Sequence, residues 1–387
     1  MPLAVLIIAG ENGNEAGGGL APMFRVVGQT LLEYQVRLAR ECGGGHIVVL
    51  VEHLPAAMIA VFDSLRNDGI DVDVARDARD AADRVHPDEQ VLLLTSGLVV
   101  SRTLIESLVL KAQPTLVTLP DQPDNIIFER IDATERWTGL ALLGGQTIRE
   151  TAAMLGDWSI GSTLMRNALQ SGAARWRLDK SDGINVITTG AQATAVSAKL
   201  VRDSKNSAES QLADLIAQPL AKLFVPLLLR WSVPIDLVAV MPLVLLGTGL
   251  LLAMVGWFGT GFAVLCLASF TENVAALLLN VAVRGSSMIG LLKYAKPITL
   301  GGMLLALGWA MSVANDDWAA LLLAGWAISL FLLRRADMAA RIKWLPSIGS
   351  STLIMLLALL FSVPLAGLIL LVCHGLAGQI ADRFFTS

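Results

Sequence analysis

The sequence AVLIIAGENGNEAGGGLAPMFRVVGQTLLEYQ, at positions 4–35, decides the fold of the first half of the chain. It begins with the continuous apolar run Ala4–Ala9, which is far too short to cross a membrane and is typical of a strand buried on both faces. A glycine-rich loop follows at Gly10–Gly19, and the apolar spacing beyond it predicts a helix over Gln29–Cys42. This order of strand, loop and helix indicates the beginning of an open α/β sheet.

The alternation of strand and helix continues through the first half, with a second helix predicted over Ala56–Asn67. Further short strands are predicted at Ile47–Val51, Val72–Val74, Val91–Leu94 and Thr115–Leu119. Fully apolar strands separated by helices favour a Rossmann-like parallel sheet with a ligand site at the carboxyl ends of its strands. Residues 1–202 are therefore expected to form one α/β domain.

Hydropathy divides the chain into two parts that suit different solvents. Of the 387 residues, 54% are hydrophobic and only 16% are charged, whereas a soluble domain carries about 25% charged residues. Residues 203–232 are predicted to form a linker and an amphipathic helix at the membrane interface, and residues 233–387 a bundle of about six transmembrane helices. The predicted spans lie near 234–255, 259–282, 297–313, 318–333, 347–363 and 364–382.

The basic residues of the second half predict its orientation. The connections between spans that would lie on one side contain Asp316 and Asp317 and no lysine or arginine. Those on the other side contain Arg284, Lys293, Lys296, Arg334, Arg335, Arg341, Lys343 and Arg383. By the positive-inside rule, we expect a multi-pass protein of a bacterial-type inner (plasma) membrane, with the N-terminal domain and the C-terminus cytoplasmic.

Charge and cysteine content exclude some classes of function. The formal net charge is −4 and the isoelectric point is about 5.6, so no basic field predicts binding to nucleic acid. The three cysteines, Cys42, Cys266 and Cys373, form no C-x-x-C pair that would indicate a zinc site or a disulfide framework. Asp121, Asp124 and Asp132 lie in polar loop sequence and are expected to be merely solvated.

The segment Val27–Tyr34 (VGQTLLEY), with the strand and loop before it, resembles the opening of sugar-nucleotide and inositol-phosphate nucleotidyltransferases. The resemblance implies a loop whose backbone N–H groups approach a nucleotide phosphate. Its glycines would be Gly10, Gly13, Gly17 and Gly18.

The charged residues that this family uses are replaced in the present chain. The phosphate-binding arginine aligns with Asn14 or Glu15, and the lysine that would neutralise pyrophosphate aligns with Ala21. The two metal-binding aspartates fall at Thr95–Gly97 and near Thr188, where the chain has no carboxylate. Phosphoryl transfer depends on positive charge set against the phosphates, so these replacements predict a degenerate site.

The second half resembles CDP-alcohol phosphatidyltransferases in its order of interfacial helix, proline-containing entry at Ser232–Asp236 and about six spans. Those enzymes hold divalent metal with the aspartates of D-x-x-D-G-x-x-A-R-x8/9-G-x-x-x-D-x-x-x-D. When the chain is aligned on Leu267–Phe270, the first aspartate becomes Glu272 and the second becomes Ala275. The last two fall on Lys293 or Tyr294 and on Pro297 or Ile298.

Over nearly its whole length, the chain thus resembles fusions of an inositol-1-phosphate cytidylyltransferase with a CDP-alcohol phosphatidyltransferase. The resemblance implies a role in phospholipid or polyol-phosphate head-group metabolism, and the missing residues favour a binding, scaffold or regulatory subunit. An active CDP-alcohol phosphotransferase with a divergent site is the alternative, and a lipid-handling or transport protein is a third reading. No metal site is predicted, and Mg²⁺ or Mn²⁺ would be needed only if the transferase site were active.

Ionisable residues at membrane depth are the remaining candidates for function. Glu272 is either functional or a vestigial acid that is protonated or paired with Arg284 or Lys293. Arg284, Lys293 and Lys296 are candidates for contacts with phosphate or lipid, although topology and snorkelling would also explain the lysines. The expected partners are membrane lipid, a nucleotide or polyol phosphate, and either a second copy of the chain or an active relative.

Overall fold

The computed structural model describes residues 3–10, 20–154, 159–179, 183–204, 212–231, 233–285, 287–332 and 348–384. The chain divides into two compact units, Met1–Lys199 and Leu200–Ser387. The first unit is an α/β domain, and the described part of the second is entirely helical.

The described part of the first unit is built on a mixed sheet of eight strands. They are β1 (Leu3–Ile8), β4 (Gly44–Leu50), β5 (Asp73–Ala75), β6 (Gln90–Leu94), β8 (Thr115–Pro120), β9 (Glu129–Arg130), β10 (Glu135–Gly144) and β11 (Ala174–Arg177). Their spatial order is β11-β8-β10-β6-β1-β4-β5, and β9 pairs with β10. Four further short strands form two antiparallel pairs: β2 (Arg25–Val26) with β3 (Gln29–Thr30), and β7 (Leu98–Val100) with β12 (Ile184–Val186).

The centre of the sheet follows the predicted parallel pattern. β1 runs parallel to β4 and β6, with Val5 opposite Ile47 on one side and Leu92 on the other. All six residues of β1 are buried, as expected for a strand covered on both faces.

Helices lie between the strands of the first unit. They are α1 (Leu31–Glu41), α2 (Ala56–Asn67), α3 (Ala78–Arg84), α4 (Arg102–Val109), α5 (Gly145–Met154), α6 (Ile160–Gln170) and α7 (Gly190–Asp203). A capping box fixes the beginning of α1, because the Thr30 hydroxyl accepts from the Glu33 N–H (3.2 Å) while the Glu33 carboxylate accepts from the Thr30 N–H (2.8 Å).

The structure confirms the α/β class and the five predicted strand segments, but the sheet is mixed and not wholly parallel. The difference is β10, which runs antiparallel to both β6 and β8. Gly139 interrupts its apolar pattern with a φ of +86°, at an irregularity in register between Trp137 and Ala141. A glycine within a strand is typical of such a bulge, and it disguises the strand in the sequence.

The second unit consists of helices joined by short connections in the part that the structure describes. They are α8 (Leu212–Arg230), α9 (Ile235–Met254), α10 (Phe258–Val281), α11 (Ser287–Asn315), α12 (Ala319–Leu332), α13 (Ile348–Leu360) and α14 (Pro364–Phe384). α10 packs against α8, α9, α11 and α13. α9 and α10 approach closely at Gly249 and Gly261, since a Cβ added to Gly261 would lie 2.9 Å from the Gly249 carbonyl oxygen.

Among the described residues, three helices are long and apolar enough to cross a membrane: Ile235–Met254, Phe258–Val281 and Gly290–Asn315. These correspond to the first three predicted spans, although the third helix begins at Ser287, ten residues before the predicted start, and continues through Pro297. The other three predicted spans correspond to shorter apolar helices, Ala319–Leu332, Ile348–Leu360 and Pro364–Ile380, so six full spans remain a prediction. α8 occupies the segment predicted as the interfacial helix.

Candidate functional site

The glycine-rich loop begins where β1 ends, at the carboxyl edge of the sheet. Gly10 lies beside Glu52, which follows β4: a Cβ added to Gly10 would lie 3.4 Å from the Glu52 Cγ and 3.8 Å from its Oε1. Gly13, Gly17 and Gly18 fall outside the described residues. The described start of the loop therefore has a carboxylate as its neighbour, which is unfavourable for a triphosphate.

The turn after β6 contains Thr95–Gly97, the segment that the sequence alignment matches to the first metal-binding aspartate. The Gln35 side-chain amide donates to the carbonyl oxygens of Thr95 (3.1 Å) and Leu98 (2.8 Å), and the Thr95 N–H donates to the Gly139 carbonyl (3.1 Å). Gly139 leaves room for the Thr95 side chain, because a Cβ there would lie 2.0 Å from the Thr95 Oγ1. Protein groups thus bond to this turn and pack against it.

The second aligned metal position has a local role as well. The Thr188 N–H and hydroxyl both donate to the Gln192 Oε1, at 2.8 and 2.9 Å. Gln192 lies in the first turn of α7, so this bond connects the end of the preceding loop to the helix. Neither aligned position contributes a carboxylate.

In the second unit, the candidate residue Glu272 contacts the neighbouring helix α11. Glu272 of α10 forms an ion pair with Lys296 of α11. The side chains are mostly buried, at 21% and 17% exposed. Arg284 and Lys293 had been suggested as partners for a vestigial Glu272, but neither forms this pair. The two helices cross where Lys296 reaches the carboxylate.

The other two cations predicted as phosphate or lipid contacts lie elsewhere in the unit. Arg284, just after α10, forms an ion pair with Asp236 in the first turn of α9 (3.2 Å). Lys293 is exposed on α11 and lies one helical turn before Pro297. The structure therefore brings Lys296 to Glu272 and Arg284 to Asp236, and it does not collect the three cations into one site.

A divalent metal of the kind that the resembling family uses does not fit the described residues at this place. Glu272 is held by an ammonium group, and a second positive charge beside it would be repelled by Lys296. Within the ranges given above, no three His, Cys, Asp or Glu side chains are grouped so that they could hold a metal ion.

Sequence reasoning missed a network of aspartates and arginines near β8–β11. Asp121 accepts from Arg136 (2.6 Å) and pairs with Arg130 (2.6 Å), and Asp132 accepts from Arg175 (2.6 Å). The hydrogen bond from Arg136 lowers the pKa of Asp121. Bonds from Thr134 and Arg175 lower the pKa of Asp132.

The expectation that Asp121 and Asp132 are merely solvated is wrong, because β9, β10 and β11 bring arginines to them. No spacing in the sequence signals these pairs, since strand pairing across the sheet creates them.

The chain matches no protein-family model and no curated protein. It aligns with a solved structure from Bacillus anthracis, assigned as a glucose-1-phosphate thymidylyltransferase and crystallised in complex with a sucrose. The two are 12% identical, the alignment covers 52% of this chain and 96% of that chain, and the TM-score is 0.42.

Proposed function

We propose that the chain is an integral membrane protein of phospholipid or polyol-phosphate head-group metabolism. It acts as a binding, scaffold or regulatory subunit and does not transfer a phosphoryl group. The observation that supports this most directly is the ion pair between Glu272 and Lys296. Glu272 is the residue that the sequence alignment matches to the first metal-binding aspartate of the phosphatidyltransferases.

The ion pair argues against transfer because of its charge. A divalent ion supplies two positive charges, polarises phosphate oxygens and helps to activate an acceptor hydroxyl. The Lys296 ammonium supplies one charge, and Glu272 neutralises it. Two hydrated cations are not held by a single carboxylate that is already paired.

The α/β unit supports the same proposal. Its glycine-rich loop begins beside the Glu52 carboxylate, and the turn at Thr95 is packed against Gly139 and bonded by Gln35. A cytidylyltransferase-like reaction would need cations at this edge to stabilise the leaving pyrophosphate. Binding of a nucleotide or polyol phosphate without turnover needs fewer charges, and we propose it as the function that this nucleotidyltransferase-like unit retains.

For the membrane arrangement, we propose that α9–α14 form a six-span bundle in a bacterial-type inner membrane. The three long apolar helices support insertion, and the placement of lysine and arginine supports a cytoplasmic N-terminal domain and C-terminus. Labelling of single cysteines at residues 257 and 316 in intact and permeabilised cells tests this topology. Labelling of both in intact cells is expected, and labelling only after permeabilisation would overturn the orientation.

A turnover assay separates this proposal from an active transferase with a divergent site. The full-length protein in lipid nanodiscs is incubated with CDP-diacylglycerol, a polyol phosphate and Mg²⁺ or Mn²⁺, and release of cytidine monophosphate is measured. We expect no release above that of empty nanodiscs. Metal-dependent release that Glu272→Ala abolishes would overturn the non-catalytic proposal.

Binding is tested separately from turnover. Calorimetry with CTP, with CDP-diacylglycerol and with a polyol phosphate should give heat with at least one of them. If none binds, the role as a sensor or regulatory subunit fails, even when the turnover assay is negative. The Gln35→Ala variant removes the hydrogen bond to the Thr95 turn without removing a charge. It should weaken the binding of CTP or the polyol phosphate at the α/β unit and leave the binding of CDP-diacylglycerol by the helical unit unchanged.

A further inference from the structure

A crevice lies between α11, α12, α13 and α14, apart from the ion pair described above. Part of its space is open to the surroundings. Its deep wall is formed by Leu300, Leu304 and Leu371, which are buried, and Ile328 contributes to its outer side. The lining is apolar except for Ser351, so water has few partners there.

The wall that α11 contributes is one stripe of that helix. Pro297, Gly301 and Leu304 follow at intervals of four and three residues and therefore share a face. Lys293 lies four residues before Pro297, so it occupies the next place on the same face, beyond the end of the crevice. Its side chain is exposed. The apolar crevice thus has a cation beyond one end.

The backbone at this end has an additional polar feature. Pro297 lies inside α11 and has no N–H, so it cannot donate the helical hydrogen bond to the carbonyl oxygen of Lys293. That place on the helix therefore combines an ammonium group with a carbonyl that lacks its usual donor. A phosphate and an adjacent hydroxyl would suit the two groups together.

Small residues open the crevice. A Cβ added to Gly301 would lie 3.9 Å from Ile328, which leaves space between α11 and α12 where a larger side chain would fill it. From Pro297 to Leu304 the crevice runs about 10 Å along α11, at about 1.5 Å per residue. Its apolar walls lose dispersion contacts if nothing fills the space between them.

We propose that this crevice holds one acyl chain of an anionic phospholipid from the bilayer, with the lipid phosphate against Lys293. The site rests on the membrane insertion proposed above and is independent of the loss of catalysis. Its apolar length accepts the chain, and the exposed ammonium at its end selects the charge of the head group.

The experiment is lipid retention by the full-length protein, measured by native mass spectrometry after exchange from detergent containing either phosphatidylglycerol or phosphatidylcholine. The wild-type protein should keep one phosphatidylglycerol, with about a fivefold preference over phosphatidylcholine, as expected for one lysine near a membrane surface. Gly301→Leu fills the crevice and should lose the lipid. Lys293→Ala should keep an acyl chain but lose the preference for the anionic lipid.

Two control variants separate loss of the lipid site from general disruption of α11. Gly290→Leu lies on the same helix, where an added Cβ meets nothing within 4 Å, and should retain the lipid as the wild type does. Gly301→Ala, which adds only an ordinary contact, should also retain it and guards against loss through misfolding. Equal retention by Gly301→Leu and wild type overturns the proposal, as does equal retention of both lipids by the wild type.

A change from dimer to monomer in Gly301→Leu also overturns it, because a second copy would then be the occupant. Failure of the protein to remain in alkali-washed membranes would instead overturn the proposed insertion. The two failures are therefore distinguishable.

Discussion

Lys296 of α11 forms an ion pair with Glu272 of α10, and both side chains are about four-fifths buried. The pair joins two helices that are both long and apolar enough to cross a membrane. In an apolar setting each charge stabilises the other, and either alone would carry the cost of its own desolvation. The same ion pair therefore contributes to stability and argues against a divalent metal at this place.

Removing one member of the pair should destabilise the protein more than removing both. Lys296→Met leaves Glu272 uncompensated, and we expect a loss of about 3 kcal/mol in the free energy of unfolding. The double variant Glu272→Gln/Lys296→Met should regain most of that loss. Denaturation of the wild type, Glu272→Gln, Lys296→Met and the double variant in one detergent gives the double-mutant cycle, and additive single effects would contradict a coupled pair.

A carboxylate in place of Lys296 should create a cation-dependent protein. Lys296→Asp sets a second acid against Glu272, so like-charge repulsion should lower stability in the presence of a chelator. Mg²⁺ or Mn²⁺ should then raise the unfolding temperature of this variant, because an ion that binds the folded state stabilises it. Lys296→Asn is the control and should not respond. An equal response of both variants would place the cation elsewhere.

In the α/β unit, Gly139→Ala should be strongly destabilising. Its φ is +86°, which costs an L-residue about 1–2 kcal/mol, and the new Cβ would collide with Thr95 Oγ1 at a cost of about 1–3 kcal/mol more. Gly172→Ala is the matched control, since its φ is +84° and a Cβ there meets nothing within 4 Å. Chemical denaturation should show the larger loss for Gly139→Ala, and equal losses would mean that the turn can move aside.

Acid should weaken the network around Asp132. Hydrogen bonds from Thr134 and Arg175 hold the pKa of Asp132 below its usual range in the folded protein. A carboxylate with a depressed pKa contributes stability above its unfolded pKa of about 3.9, and that contribution is lost as the pH falls. The wild type should therefore lose more stability between about pH 6 and about pH 3 than Asp132→Asn does.

The acid experiment has a control in the same loop region. Asp124 is exposed, and Asp124→Asn removes one carboxylate without removing the bonds from Thr134 and Arg175 to Asp132, so it controls for the change in net charge. If Asp132→Asn and the wild type lose stability in parallel, the bonds from Thr134 and Arg175 do not matter in solution.

Local patterns predicted the elements of the first unit well. The helix α1 was predicted to within two residues because its apolar spacing is continued over its whole length, and the capping box at Thr30–Glu33 fixes where it begins. β10 escaped prediction because Gly139 breaks its apolar run at a bulge that only the pairing with β8 explains.

The candidate site was predicted less completely, for a related reason. Alignment with the aspartate motif singled out Glu272, whose functional role stays a prediction, and the structure pairs it with Lys296 where the sequence had suggested Arg284 or Lys293. Sequence separation does not reveal which face of α11 meets α10, and a shift of three residues on a helix moves a side chain to a neighbouring position on its surface. Lys296 occupies the position that contacts Glu272.

The opening run Ala4–Ala9, and the long apolar segments after residue 233, by themselves determined that the chain combines an α/β sheet with apolar helices. Hydropathy and periodicity act within a few neighbouring residues, so both can be read along the chain. Only the tertiary structure decided that the sheet is mixed, that Glu272 meets Lys296, and that a crevice opens beside Gly301. Each of these joins residues on different elements, and their contact depends on how those elements pack.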